Sequence, residues 1–209
     1  MKKLSLFLYA VLAGMSISIG GIVFLALDSK VLGAVFFSIG LFMVLVFGFN
    51  LFTGKVCYLF NNPPSYILDL LIIIIGNLVG AIICGLLVQA TRIGDAASAK
   101  AAAMCATKLG DSPWSIFILA IFCNIMIFAA VDNFKNNPHD FGKYLGIILA
   151  IPVFILCSFE HCVANMFYIT AGNAWSGKAV LYLIVMILGN TVGGVIVPLC
   201  RNIKVKSEK

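Results

Sequence analysis

Long apolar runs separated by short polar segments dominate this sequence and constrain its fold more than any other feature. The first run is Leu4–Leu27, and several of similar length follow. At a rise of 1.5 Å per residue, about 20 apolar residues cross the hydrocarbon core of a bilayer. Hydrophobic residues make up 62% of the 209 positions and charged residues 11%, which is more apolar surface than a soluble core of this size can bury. The sequence therefore excludes a soluble enzyme and a disordered chain, and it predicts an all-α integral membrane protein.

Six membrane passages can be counted, and two of them are interrupted. The uninterrupted passages are Leu4–Leu27, Ile67–Ala90, Trp114–Val131 and Ala179–Cys200. Passage two, 31–60, is broken at 48–55, and passage five, 144–170, is broken at 158–161. The first run begins with basic residues, as a signal peptide does, but its length and the lack of a small-residue cleavage pattern favour a retained span. The polar, Ala-rich segment 91–113 is predicted as a connection between passages three and four.

The two halves of the chain resemble each other at similar offsets. The segment 76–80 (GNLVG) matches 189–193 (GNTVG) after 113 positions. The segment 49–58 pairs more loosely with 159–168 after 110 positions, because only the Phe and Tyr ends agree. Each half has three passages, an odd number, so the second half enters the membrane from the opposite face. The sequence thus predicts one channel domain over 1–209, with two inverted three-helix repeats covering roughly 4–90 and 114–200.

The placement of basic residues predicts the orientation in the membrane. An even number of passages puts both termini on one face, together with the loops 61–65 and 132–143. The Lys and Arg residues on that face are Lys2, Lys3, Lys135, Lys143, Arg201, Lys204, Lys206 and Lys209, against Lys30, Arg92, Lys100, Lys108 and Lys178 on the other. Positively charged loops favour the cytoplasm, which predicts a multi-pass protein of the inner or plasma membrane with both termini cytoplasmic. The net charge of +6 is thus juxtamembrane and does not resemble a nucleic-acid groove.

Ionisable and polar residues inside the apolar runs are the candidate functional groups. Glu160 and His161 lie in the break of passage five, where such residues are costly and usually functional. An imidazole both accepts and donates a proton near pH 7, which makes His161 a candidate proton relay. Glu160 is equally compatible with a structural anchor for the other broken segment. Asn77 and Asn190 lie between glycines, where a bond across helices and a role in the pore both stay open.

The segments at the two breaks resemble those of the formate/nitrite transporter family. The matching motifs are LFTG at 51–54, FEHCVANM at 159–166 and the two Gly-Asn-x-x-Gly segments. The order and spacing of the passages agree over nearly the whole chain. Asn50 stands where members often carry an acid, and Ser158 stands where Gly is usual. The resemblance implies an aquaporin-like fold, a homopentameric assembly and one pore in each protomer.

The resemblance also assigns pore residues. It places Thr53 opposite His161, with Asn124 of passage four and Asn190 of passage six at the same polar centre. It implies an apolar constriction on each side of the histidine, an outer one of Phe37 and Phe154 and an inner one of Leu41, Leu51 and Phe52. The family's lysine just before passage four falls on Lys108. We expect Lys108 and Lys55 to attract anions, although Lys108 is equally compatible with a solvated loop charge.

Together these features favour a channel for small monovalent anions of weak acids, such as formate, nitrite or hydrosulfide. His161 is expected to supply a proton, so that the neutral acid crosses the apolar constriction and anion and proton move together. Neither a metal nor a cofactor is expected. The alternative is a neutral-solute channel of the same fold. A membrane-embedded enzyme lacks a second catalytic cluster beside Glu160 and His161, and an accessory subunit predicts no flux at all.

Overall fold

A computed structural model describes residues 2–207, with side chains described as far as Ile203. Lys209, which counted toward the orientation, lies outside this range, as do the side chains of Lys204 and Lys206. Within it the helices are α1 (Lys2–Ala26), α2 (Lys30–Val46), α3 (Phe52–Lys55), α4 (Tyr66–Gln89), α5 (Gly94–Gly110), α6 (Pro113–Asn136), α7 (Asp140–Leu156), α8 (Cys162–Ala171) and α9 (Gly177–Ser207). A 3₁₀ helix, Val56–Asn61, continues from α3.

Four of these helices are long and apolar enough to cross a bilayer without interruption. They are α1, α4, α6 and α9, in which an 18-residue window reaches a mean hydropathy between 2.1 and 2.8. The helices α2 and α7 have 17 residues each and are followed by a break and a further short helix. The prediction of an all-α membrane protein with interrupted second and fifth passages is therefore confirmed.

The segment that we expected to be a polar connection contains a helix, α5. Its sequence is rich in alanine, the strongest helix former, but it has too few large apolar residues for a membrane span. It packs against α8 and α1 at the end of the bundle away from Lys2. Apolar length does not indicate α5, because this helix depends on the helix propensity of alanine and not on membrane-spanning hydropathy.

Close packing at glycines pairs α1 with α4 and α6 with α9. A Cβ atom added at Gly80 would lie 2.1 Å from the carbonyl oxygen of Val11, and one added at Gly193 would lie 2.1 Å from that of Ile121. Without a side chain, the backbones of the paired helices approach closely enough for dense packing in lipid. Since the two contacts occupy equivalent places in the two halves, the repeat in the sequence is also a repeat in packing.

The two breaks have the same backbone structure. Gly48 and Ser158, 110 residues apart, both have a positive φ, of 69° and 57°. In each break the next residue donates its N–H back into the preceding helix, from Phe49 to the Val44 carbonyl and from Phe159 to the Phe154 carbonyl, both at 2.9 Å. The loose match between 49–58 and 159–168 thus corresponds to equivalent structure. Glycine adopts this left-handed conformation freely, whereas a side chain such as that of Ser158 raises its energy by about 1 kcal/mol.

Candidate functional site

Two asparagines fix the two breaks with the same pattern of hydrogen bonds. The side chain of Asn77, on α4, accepts from the Phe52 N–H at 2.9 Å and donates to the carbonyls of Ala10 and Asn50 at 2.8 and 2.9 Å. The side chain of Asn190, on α9, accepts from the Cys162 N–H at 2.9 Å and donates to the carbonyls of Ala120 and Glu160, both at 2.8 Å. Each partner of Asn190 lies 110 residues after the matching partner of Asn77. Irregular backbone at membrane depth needs such partners, because lipid offers none.

The structure brings Thr53 and His161 together from opposite halves of the chain. Thr53 lies on α3, His161 caps the N-terminus of α8, and the distance from Thr53 Oγ1 to His161 Nε2 is 2.9 Å. Both side chains are buried. The Ala164 N–H donates to His161 Nδ1 at 3.1 Å, so the neutral imidazole carries its proton on Nε2 and donates it to Thr53. The arrangement gives the two broken passages a shared polar contact in an apolar surrounding.

Two cavities lie on either side of this contact. The large vestibule, of about 430 Å³, includes His161, Lys108, Glu160 and the aromatic pair of Phe37 and Phe154 among its walls. The small vestibule, of about 120 Å³, is walled by residues on both sides of Thr53 in sequence, including Leu51, Gly54 and Lys55. The large one opens near α5, and the small one opens near the end of α6. Thr53 and His161 thus lie between a wider entrance and a narrower one.

Apolar side chains flank the Thr53–His161 contact. The rings of Phe37 and Phe154 meet edge to face with centroids 6.0 Å apart, and the Phe154 ring stacks on His161 with centroids 5.9 Å apart. On the other side, Leu41 and Leu51 line the small vestibule. Phe52, expected in the same ring, is buried in the core and lines neither vestibule. Phe154 thus lies against the histidine with Phe37 beside it, and Leu41 and Leu51 lie in the wall of the small vestibule, whereas Phe52 lines neither vestibule.

Glu160 forms an ion pair with Lys108, which the sequence did not indicate. Lys108 Nζ lies 2.5 Å from Glu160 Oε2, and only 3% of the Glu160 side chain is exposed. Asn165 adds a second donor, with its Nδ2 at 2.8 Å from the same oxygen. Helix α5 delivers Lys108 to this position, so the lysine is neither a free anion attractor nor a solvated loop charge. Asn165 was not singled out, although its place one turn after His161 on an apolar helix was a usable signal.

Two further charged groups stand in the wall of the large vestibule. Lys30 Nζ donates to the carbonyl of Leu156 at 3.3 Å, at the end of α7. Asp111 accepts hydrogen bonds from the Ser115 hydroxyl and the Ser112 N–H, which hold the pKa of its carboxyl below the usual value. Asp111 therefore stays ionised at neutral pH. The walls of the large vestibule carry charges of both signs.

The remaining predicted polar residue, Asn124, acts on the backbone. Its Nδ2 donates to the carbonyls of Thr53 at 3.1 Å and Asn190 at 2.7 Å. Like Asn190, it is fully buried and lines neither vestibule. These contacts hold Thr53 and the second break in place. Lys55 lines the small vestibule as expected for an anion attractor, but it is joined there by Lys135, which sequence analysis had counted only as a loop charge.

Comparisons with known proteins agree with this architecture. A sequence model of the family described as Formate/nitrite transporter matches residues 1–202. The chain is 34% identical over 203 residues to a probable formate transporter of Methanothermobacter thermautotrophicus, covering 81% of this chain and 72% of that protein. It is 33% identical over 183 residues to the transporter YrhG of Bacillus subtilis, covering 80% of this chain and 68% of that one.

A solved structure shares the fold. The chain superposes on a pentameric formate channel with formate bound with a TM-score of 0.82, covering 100% of this chain and 98% of that chain at 24% identity. This likeness confirms the aquaporin-like arrangement of helices. The relatives are transporters rather than enzymes. With the family match extending over nearly its whole length, the chain belongs to the formate/nitrite transporter family.

Proposed function

We propose that the protein conducts small monovalent anions of weak acids, in the class of formate, nitrite and hydrosulfide, together with a proton. The names of the relatives support formate as the reference substrate, since one is a probable formate transporter and the protein of shared fold is a formate channel. The observation that carries the proposal is the 2.9 Å contact between Thr53 and His161, which lies between two vestibules and beside apolar rings.

The energetics favour passage as the neutral acid. An acid with a pKa of about 4 is protonated at pH 7 at a cost of about three pKa units, near 4 kcal/mol. Moving the bare anion through a dry ring of Phe or Leu side chains costs on the order of 20 kcal/mol by an idealised Born calculation, and still several after relaxation. Protonation is therefore the cheaper route, provided that a proton donor stands inside the constriction. His161 is the residue in that position.

The hydrogen bonds around His161 limit which nitrogen can take up a proton. A neutral imidazole with its proton on Nε2 is too weak an acid to protonate a carboxylate, so His161 must first take up a second proton on Nδ1. That nitrogen is occupied by the Ala164 N–H. We infer that the ring turns out of the cap of α8 and takes this proton from vestibule water, and that an anion beside it favours the charged ring. Nε2 then gives its proton to the anion, with the Thr53 hydroxyl orienting the acceptor oxygen. The neutral ring left behind carries its proton on Nδ1, and exchange through water moves that proton to Nε2 before the ring returns to the cap.

The other predicted residues support this step. Asn124 and Asn190 hold Thr53 and the backbone of the second break in register. Phe37 and Phe154 exclude water and larger anions on one side, as Leu41 and Leu51 do on the other. Glu160 and Lys108 form a neutral pair, so Lys108 attracts anions less than an unpaired lysine at the same place.

We further propose a homopentamer in the plasma or inner membrane with both termini cytoplasmic. The pentameric assembly of the protein of shared fold supports the first point. The excess of basic residues on the face of the α6–α7 and α3–α4 connections supports the second. In this orientation the large vestibule opens outside the cell and the small one opens to the cytoplasm.

Uptake of labelled formate into proteoliposomes at several external pH values tests the proposal. Wild-type flux is expected to rise as the external pH falls, and His161→Asn is expected to lose this dependence. His139→Asn is the matched control, because His139 lies exposed in the α6–α7 connection. Flux that is independent of pH, or an unchanged His161→Asn variant, would contradict proton transfer at His161. Water flow without anion flux would favour a neutral-solute channel.

A further inference from the structure

The two vestibules differ in charge. The walls of the large one hold two bases, Lys30 and Lys108, and two acids, Asp111 and Glu160, so their formal charges cancel. The walls of the small one hold Lys55 and Lys135, and no carboxylate among residues 2–203 joins them. The smaller of the two entrances therefore carries a formal charge of +2.

The neighbours of Lys135 keep it in place without neutralising it. Its Nζ lies 3.9 Å from the centroid of the Tyr58 ring, within the range of a cation–π contact. The nearest acid on the same helix, Asp132, is paired with Arg201, with Nη1 to Oδ2 at 2.5 Å. Tyr58 thus positions the ammonium group of Lys135. Arg201 pairs with the Asp132 carboxylate, which lies one turn before Lys135 on α6.

Lys55 is fixed from the other side of the small vestibule. It ends α3, directly after the LFTG segment, and its carbonyl accepts a hydrogen bond from the Tyr66 hydroxyl at 3.1 Å. The backbone that carries Thr53 and the backbone that carries Lys55 are therefore one short helix. Lys55 therefore lies two residues after Thr53 on the same helix and in the wall of the small vestibule.

Two neighbouring ammonium groups in one cavity favour the binding of an anion between them. The remaining walls are mainly apolar, with Leu41, Leu51, Val131 and Phe134 among them, and they add no counter-charge. Lys135 is exposed, so water screens part of the repulsion between the ammonium groups. The volume of about 120 Å³ has room for a triatomic oxyanion and a few waters. A bulky anion fits this space poorly.

We propose that Lys135, together with Lys55, forms an anion-binding subsite in the small vestibule for a small monovalent oxyanion such as a carboxylate or nitrite. The subsite sets the half-saturation concentration for transport that starts from this face. This inference rests on the proposed transport function, and it adds Lys135 to the residues that determine affinity. A passive pathway has equal permeability in both directions at equal concentrations, so the subsite changes KM from one face rather than the direction of net flux.

Kinetics measured separately from the two faces test the subsite. Labelled formate uptake is compared between right-side-out and inside-out vesicles of one expression host, at equal pH and zero membrane potential. Lys135→Gln is expected to raise KM about tenfold from the face of the small vestibule, and to change KM less than about twofold from the other. Lys135→Arg, which keeps the charge, is expected to stay near wild type. Lys3→Gln, which removes an exposed charge from the first turn of α1, is the control for charge on the same face.

Wild-type protein supplies a second measurement that does not depend on any variant folding. Raising an impermeant salt from about 0.01 M to about 1 M shortens the Debye length from about 30 Å to about 3 Å. We expect KM for uptake from the face of the small vestibule to rise several-fold. KM for uptake from the face of the large vestibule, whose formal charges cancel, is expected to stay nearly constant. A KM that changes neither in Lys135→Gln nor with salt, or that changes equally from both faces, would contradict the proposed subsite. Absence of formate flux in the wild type would instead refute the proposed function.

Discussion

Replacing Lys108 by methionine is expected to destabilise the protein more than replacing its partner Glu160 by glutamine. Methionine matches the length of the lysine stem but removes the ammonium group, leaving the Glu160 carboxylate with Asn165 as its remaining donor. The Glu160 side chain is 3% exposed, so water cannot take the place of the lysine. An uncompensated buried charge of this kind costs about 3–5 kcal/mol.

Replacing Glu160 by glutamine leaves the Lys108 ammonium group unpaired, but this cation is easier to solvate than the buried carboxylate. The Lys108 side chain is 17% exposed and lies in the wall of the large vestibule, where water can reach it. Glutamine also keeps an oxygen that accepts the Asn165 hydrogen bond. We therefore expect Glu160→Gln to cost about 1–2 kcal/mol. The double variant removes both charges, and its stability is expected to lie close to that of Glu160→Gln.

Unfolding of purified protein in mixed micelles measures these three free energies. Because the double variant is expected to match Glu160→Gln, the double-mutant cycle is expected to give a coupling energy close to the cost of Lys108→Met, about 3–5 kcal/mol. Lys100→Met is the control, since Lys100 also lies on α5 and pairs with Asp28, whose side chain is fully exposed. A coupling energy below about 0.5 kcal/mol would show that the Lys108–Glu160 contact does not compensate a buried charge.

Three other substitutions follow from the backbone and the rings. Ser158→Gly relieves the left-handed backbone at the second break and is expected to raise the free energy of unfolding by about 1 kcal/mol, measured by the same titration; an unchanged value would contradict the strain. Gly193→Ala drives a Cβ into the Ile121 carbonyl and is expected to cost about 1–3 kcal/mol, whereas Gly177→Ala, which meets no atom within 4 Å, is expected to be nearly neutral. Phe154→Ala opens one ring and is expected to raise lactate flux relative to formate flux in proteoliposomes, and an unchanged ratio would exclude Phe154 from the constriction.

The sequence predicted the parts of the fold that depend on apolar length and on local breaks. The four uninterrupted apolar runs correspond to α1, α4, α6 and α9, because in lipid a helix satisfies the hydrogen bonds of its own backbone. The glycine-flanked Asn77 and Asn190 showed the repeat, although the sequence alone left open a pore role and a structural one. Their hydrogen bonds to both breaks support the structural role.

Features that depend on tertiary placement escaped the sequence analysis. Helix α5 is polar and Ala-rich, so hydropathy did not reveal it, and without its register Lys108 had no visible partner. Lys135 lies near the polar end of α6 and is exposed, as a lysine in that place normally is, so nothing in the sequence set it apart. Its position in the small vestibule depends on Tyr58, which comes from the other half of the chain. Contacts between residues 77 positions apart leave no local pattern in the sequence.

The ratio of protons to formate ions moved by purified protein in liposomes tests proton transfer at His161 most directly. An internal pH dye reports protons while labelled formate reports anions, with the membrane potential clamped at zero. Transfer at His161 predicts a ratio of one in the wild type and in His139→Asn, with coupled flux lost in His161→Asn. Formate entry without proton entry in the wild type, or an unchanged ratio and rate in His161→Asn, would contradict it.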